Sequence, residues 1–264
     1  MIVLREGDCV RAHQDLRATL ARARAALGDA TGITGTISLL AAKSAVELNL
    51  NDEARDRLAI GLRKAHTHGV IETTAAGLDA AVKLWSDTDK DFISLIELRE
   101  VASAYPPRLS LMLSCFLIRR WLLIGNVDEA QREAVRIGLT ADGGLSAPEA
   151  CNTATAAELV TAARIELAIA TRKFRHANTL IAAESSSAKA QGRHGHLVEL
   201  ALDEATINYL TGKNSVAVAH FGRAIRLAAR HRALRVFIDR GELIASLVRD
   251  TGKKDWSFLV DEER

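Results

Sequence analysis

Hydrophobic positions in this chain recur at helical spacing almost from end to end. In the stretch 216–229, Ala217, Phe221, Ala224, Ile225 and Ala228 fall at i, i+4, i+7, i+8 and i+11. That is one apolar stripe on a helix of 3.6 residues per turn. The same reading predicts helices over 10–27, 35–48, 53–66, 72–85, 92–104, 107–124, 128–137, 153–170, 174–190 and 197–210. The breaks carry turn and cap residues: Gly28-Asp29, the cluster at 49–52, His68-Gly69, the cluster at 86–89, Pro106-Pro107, Gly125-Asn126, and Gly212 followed by Asn214 and Ser215. The longest expected loop is 140–148, around Gly143-Gly144. No alternating strand pattern competes, so the expected fold class is all-α.

The breaks recur. Ala12, Ala54, Ala130, Ala177 and Ala217 stand just inside every second helix, with Asp91 in the equivalent place, at intervals of about 37 to 47 residues. A period of that size in an all-helical chain predicts a superhelical array of stacked helical hairpins, a TPR-like α-solenoid. The small residue lets one helix cross closely over its partner. An irregular helical bundle is the alternative. On the repeat reading, residues 1–264 form a single domain of about six helix pairs. The stretch 191–239 is then its last full repeat, and Phe237-Ile238-Asp239 is the terminal cap.

A length of 264 residues requires two domains or a repeat array. Hydrophobic residues make up 48% and charged residues 26%, as in a soluble globular protein. Only 3 prolines interrupt the helices, and aromatics are 4%, so small and aliphatic side chains must fill the core. With 35 basic against 33 acidic residues, charge calls for neither nucleic acid nor a membrane surface as partner. Three scattered cysteines (Cys9, Cys115, Cys151) argue against a disulfide framework, and no signal peptide opens the chain, so a cytoplasmic location is expected. The most apolar stretch, 109–124, is shorter than the roughly 20 residues of a membrane span and contains Arg119 and Arg120. It reads as a helix buried on most sides.

Catalytic signatures are missing. Thr211-Gly212-Lys213 and Thr251-Gly252-Lys253 lack the upstream glycine of a phosphate loop, and no G-x-S-x-G, H-E-x-x-H or C-x-x-C occurs. His66-x-His68 and His194-x-His196 sit at helix breaks without a nearby cysteine, and read as loop histidines rather than metal ligands. The basic stripe Arg223, Arg226 and Arg230, continued by His231, Arg232 and Arg235, lacks aromatic interleaving and reads as a solvated or docking face. No enzyme, metal or cofactor is expected of this chain.

Several segments then stand in an informative order. They are Pro107-Arg108-Leu109 with the long apolar helix and Arg119, then Gly125-Asn126-Val127-Asp128-Glu129-Ala130 and Arg136-Ile137-Gly138-Leu139. Glu158-Leu159-Val160-Thr161-Ala162-Ala163-Arg164, Gly192-Arg193-His194-Gly195-His196 and Arg235-Val236-Phe237-Ile238-Asp239 follow. In this order and spacing they resemble the helical-repeat region of the large MalT-like, LuxR-type ATP-dependent transcription regulators. The resemblance covers about residues 107–247, and before that it extends to the repeat alone. It implies the effector-sensing and self-association domain of such a regulator, a fragment without the ATPase and helix-turn-helix domains that would bind ATP and DNA. The implied partner is a small-molecule inducer or a protein, and no membrane is involved. A stand-alone TPR-like adaptor is the alternative. Where the family often has Glu-Gly-Pro-Pro after the aspartate, this chain has Arg240-Gly241-Glu242-Leu243.

Five residues are the expected ligand contacts on the repeat groove: Arg119, Trp121, Glu158, Thr161 and Arg164. Glu158, Thr161 and Arg164, at i, i+3 and i+6, are expected to project to a similar side of one helix. Trp121 beside Arg119 suits stacking on a sugar or aromatic acid. The competing expectation makes Arg119 and Glu158 a structural ion pair between stacked helices.

Overall fold

The computed structural model describes residues 8–29, 31–68, 70–86, 93–102, 104–139, 151–229 and 234–251, with the backbone alone for 65–68, 101–102 and 251. These residues form thirteen helices and no strand. They are α1 (Cys9–Leu27), α2 (Gly32–Glu47), α3 (Asn51–His68), α4 (Ile71–Leu84), α5 (Leu95–Ala102), α6 (Pro107–Leu123) and α7 (Val127–Arg136). After them come α8 (Ala154–Ala170), α9 (Phe174–Ala190), α10 (His194–Leu210), α11 (Asn214–Ala229), α12 (Arg235–Ile238) and α13 (Gly241–Thr251). The all-helical expectation therefore holds. The expected loop at 140–148, the cap residues 87–89, Asp91 and the side chains of His66 and His68 lie outside the described residues.

Caps set the boundaries. The Thr31 side chain accepts a hydrogen bond from the Thr34 amide and starts α2 three residues ahead of its apolar pattern. Ser94 and Glu97 form a reciprocal capping box, Glu97 accepting from the Ser94 amide at 2.8 Å and Ser94 from the Glu97 amide at 3.1 Å. That box delays the start of α5 to Leu95. Pro107 takes the first position of α6, where its missing N–H is not needed.

Packing follows a simple order. Helices α2, α4, α6, α8 and α10 touch one another in succession, while α3, α7, α9 and α11 each lie against the helix before them. The alanines that mark the sequence period sit at these crossings: Ala54, Ala130, Ala177 and Ala217 have no exposed surface, and Ala12 is buried. Close approach also uses glycine. A Cβ on Gly61 or on Gly77 would each fall 2.5 Å from Leu39 Cδ2, so α3 and α4 clasp one α2 leucine from two sides. The largest cluster of buried apolar residues surrounds α6, whose residues from Leu111 to Ile118 are all buried.

The C-terminal end departs from expectation. The segment 235–239 is not a terminal cap on the last hairpin alone. Helix α12 contacts α2 as well as α10, so the end of the described chain returns to its beginning. Arg235 Nη1 donates to Asn51 Oδ1 at 3.3 Å, and its Nη2 donates to the Lys83 carbonyl. Beyond it α13, absent from the expected helices, packs Ile244 and Leu247 into the α10–α11 cluster. Phe237 meets Phe221 edge-on, ring centroids 5.8 Å apart.

Candidate functional site

Helices α2, α4, α6, α8 and α10 are apolar nearly all round, yet each carries a few charged residues on the side facing the others. These residues surround an open cavity of about 240 Å³. Its wall takes Lys43 and Glu47 from α2, Glu72, Asp79 and Lys83 from α4, and Met112, Phe116 and Arg119 from α6. Helix α8 adds Thr155, Glu158, Leu159 and Ala162, and α10 adds His196, Val198 and Glu199. Cys9 and Val236 complete it, one from each end of the described chain. The wall is thus an apolar lining ringed by charge, a usual composition for a small-molecule site.

Three linked ionic groups hold this wall. In the first, Lys43 Nζ contacts both Glu47 and Asp79. Lys83 Nζ lies 2.9 Å from Glu47, 3.7 Å from Asp79 and 3.3 Å from Asp239. Arg235 Nε donates to Asp239 Oδ1 at 2.7 Å, which ties α12 to this group. Burial pushes the Glu47 and Asp79 carboxyls up, but Lys43 and Lys83 outweigh it and hold both below the ordinary carboxylate range. Burial likewise opposes the Lys83 charge, but Asp79, Glu47 and Asp239 keep the ammonium protonated well above its usual range.

The second group sets two arginines among three carboxylates. Arg119 lies 2.9 Å from Glu166 and 3.3 Å from Glu199. Arg240, just before α13, donates to Glu166 at 2.9 Å and to Asp203 at 2.6 Å. Asp203 is the most enclosed of the carboxylates, its side chain only 5% exposed. Burial, reinforced by Glu166 and Glu199, pushes its carboxyl up to about 7 in spite of Arg240. Glu199 goes the other way: burial raises it, but Arg119 and His196 hold it well below the usual range.

The third group centres on His196, whose side chain is 3% exposed. Its Nε2 faces Glu184 at 3.3 Å, and its Nδ1 faces Glu199 at 3.6 Å and Glu158 at 3.8 Å. Arg193 Nη1 donates to Glu158 at 2.5 Å, and its Nη2 donates to Ser187 at 2.9 Å. Burial disfavours the imidazolium, but the contact with Glu199 and the charges of Glu158 and Glu184 prevail and raise its pKa above 6.5. Among the described residues no cluster has metal-binding geometry, and no helix is long and apolar enough to cross a membrane.

The five expected contacts separate. Arg119 and Glu158 line the cavity, while Trp121, Thr161 and Arg164 do not. The spacing i, i+3, i+6 carries Arg164 roughly 120° around the helix from Glu158, at about 100° per residue. The residues of α8 that face inward instead follow i, i+3, i+4 and i+7: Thr155, Glu158, Leu159 and Ala162. Thr161 donates back to the Ala157 carbonyl at 3.0 Å. Trp121 is buried in the α6 core, edge-on to Trp85 at 6.3 Å, and it is Arg120 that lies over the Trp85 ring, at 5.6 Å. Nor do Arg119 and Glu158 pair with each other, since Arg119 takes Glu166 and Glu199 and Glu158 takes Arg193. His196 is not a loop residue but stands in the first turn of α10. Of the basic stripe, Arg226 is exposed, Arg223 pairs with Glu204, Arg235 is buried inside, and 230–232 lie outside the described residues.

Sequence reasoning missed Lys43, Glu47, Asp79, Lys83, Glu166, Asp203 and Arg240. A signal was present: each of the six on α2, α4, α8 and α10 is a charge set among apolar residues on a helix with little polar face. Comparison of the chain with protein-family models, with curated proteins and with solved structures finds no match.

Proposed function

We propose that this chain is the effector-sensing helical-repeat domain of a MalT-like, LuxR-type transcription regulator, with the cavity as its inducer site. Its hairpins stack on this reading as a TPR-like superhelical array, and it works in the reducing cytoplasm as part of a longer, self-associating protein. ATP and DNA binding belong to other domains of that protein. One observation carries the sensing role: a single cavity touches α2, α4, α6, α8, α10 and α12 at once. A molecule filling it contacts every layer of the array together with the segment that returns from the far end.

A ligand changes an equilibrium only through its different affinity for two shapes. Here the candidate element is α12 with α13, anchored through Arg235 and Asp239 onto Lys83, which lines the cavity, and through Arg240 onto Glu166 and Asp203, which do not. Filling the cavity would bias how that segment seats, and so what the protein presents for self-association. The occupancy of the inner face by α12 favours a small ligand over an extended peptide, which would first have to displace it.

A thermal-shift screen of polar metabolites tests the proposal, since a binder raises the melting temperature by mass action. A hit is expected to change the oligomeric state of the longer protein in sedimentation. A broad screen without any shift refutes the sensing role.

A further inference from the structure

The charge of the cavity wall indicates what it selects. Its cations are Lys43, Lys83, Arg119 and His196, and its acids are Glu47, Glu72, Asp79, Glu158 and Glu199. The cations are already covered by acids. Lys83 has three N–H donors and three carboxylates around it, Lys43 lies between two, and Arg119 between Glu166 and Glu199. A carboxylate has about four acceptor sites and keeps capacity beyond such contacts, while an ammonium does not. An anionic ligand would therefore meet five acids against four cations, each cation already set beside at least two carboxylates. His196 marks the point of convergence: Glu158 of α8 and Glu199 of α10 both face its Nδ1, and Glu184 of α9 faces its Nε2, which is buried and makes no hydrogen bond. Arg193 touches Glu158 and Glu184 from the start of α10, and Arg119 of α6 touches Glu199.

Accepting the cavity as the effector site, we infer that its ligand is a small organic amine. The ammonium is held by Glu158 and Glu199 and the apolar body lies against Met112, Phe116, Leu159 and Val236. The ammonium and the imidazolium proton of His196 then draw on the same carboxylates, so binding one releases the other. Amine affinity rises with pH through the His196 titration and falls only when the amine itself loses its proton, near pH about 10.

The test uses three probes of one shape: 2-phenylethylamine, the neutral 2-phenylethanol and the anionic 3-phenylpropionate. Calorimetry at pH about 6 and about 8, in two buffers of different ionisation enthalpy, reads affinity and protons released. The amine is expected to bind at least about tenfold more tightly than the alcohol, the acid not measurably, with net proton release. Glu158→Gln should weaken the amine about tenfold and leave the alcohol unchanged. The proton count needs no variant and decides the matter if Glu158→Gln fails to fold. Preference for the acid, equal binding of amine and alcohol, or binding without proton release overturns the amine assignment while the sensing role stands. Binding of none of the three also overturns it, and the metabolite screen then judges the sensing role separately.

Discussion

Asp203 offers the most direct test of the ionic framework. Its carboxyl ordinarily titrates near 3.8 and is pushed to about 7 in the fold. Between those values the native state holds a proton that the unfolded chain has lost, so stability must fall as pH rises. With an unfolded value of 3.8 and a folded value of about 7, the loss from pH 5 to pH 7 comes to about 2 kcal/mol. For a chain of this size that corresponds to a drop of about 4–8 °C in melting temperature. Among the described residues, two histidines with shifted titrations bear on the comparison. His196, raised above 6.5, acts in the same sense, its stabilisation present below 6.5 and lost as pH passes its folded value. His13, lowered by burial, acts in the opposite sense. Glu47, Asp79 and Glu199 are depressed and matter only below the ordinary carboxylate range. The comparison is therefore wild type against Asp203→Asn, melted by circular dichroism at pH 5, 6 and 7. The amide keeps an acceptor for Arg240 but takes up no proton. Its profile should be flatter than that of the wild type by about 2 kcal/mol across the window. Parallel profiles would refute the reasoning. A wild type that instead gains stability relative to the variant would show that Arg240 outweighs burial.

Arg235→Ala removes the anchor of α12 and should cost about 1.5–3 kcal/mol, because the hydrogen bonds to Asp239, Asn51 and the Lys83 carbonyl are lost while Lys83 still faces Asp239. Hydrogen exchange should show protection lost first in α12 and α13, and equal loss along the whole chain would contradict the anchoring role. Ala217→Leu places a large side chain where none of the surface is open, and should destabilise by about 1–3 kcal/mol in urea titration. Burial pushes the Cys115 thiol to about 12 and, aided by Glu47, the Cys9 thiol to about 11. Half-buried Cys151 should then react first with a thiol reagent under native conditions, Cys9 more slowly through the cavity it lines, and Cys115 only on unfolding.

Much of the architecture could be read from local pattern. Helix content, the break positions and the alanine period all depend on neighbours within one or two turns. The five alanines are buried as their spacing requires. The boundary shifts at α2 and α5 are legible too, once Thr31 and the Ser94–Glu97 box are recognised as caps. What local pattern could not supply was the partner of each charge. Arg119 and Glu158 look like a pair in sequence, yet each has a different partner, because the order in which helices touch decides which carboxylate comes within reach.

The amino-acid sequence by itself therefore determined an all-helical chain with small residues at its crossings, since periodicity and capping are short-range properties. The tertiary structure alone decided where the cavity lies, that Trp121 faces the core, that α12 returns to α2, and that Arg235 reaches Asn51 at the start of α3 across 184 residues of chain. Those are contacts between distant segments, set by the angle at which each helix packs on the next, which no local spacing encodes. The titration of His196 and Asp203 follows from the same cause, because burial and neighbouring charge come into being only when α6, α8, α9 and α10 are assembled around them.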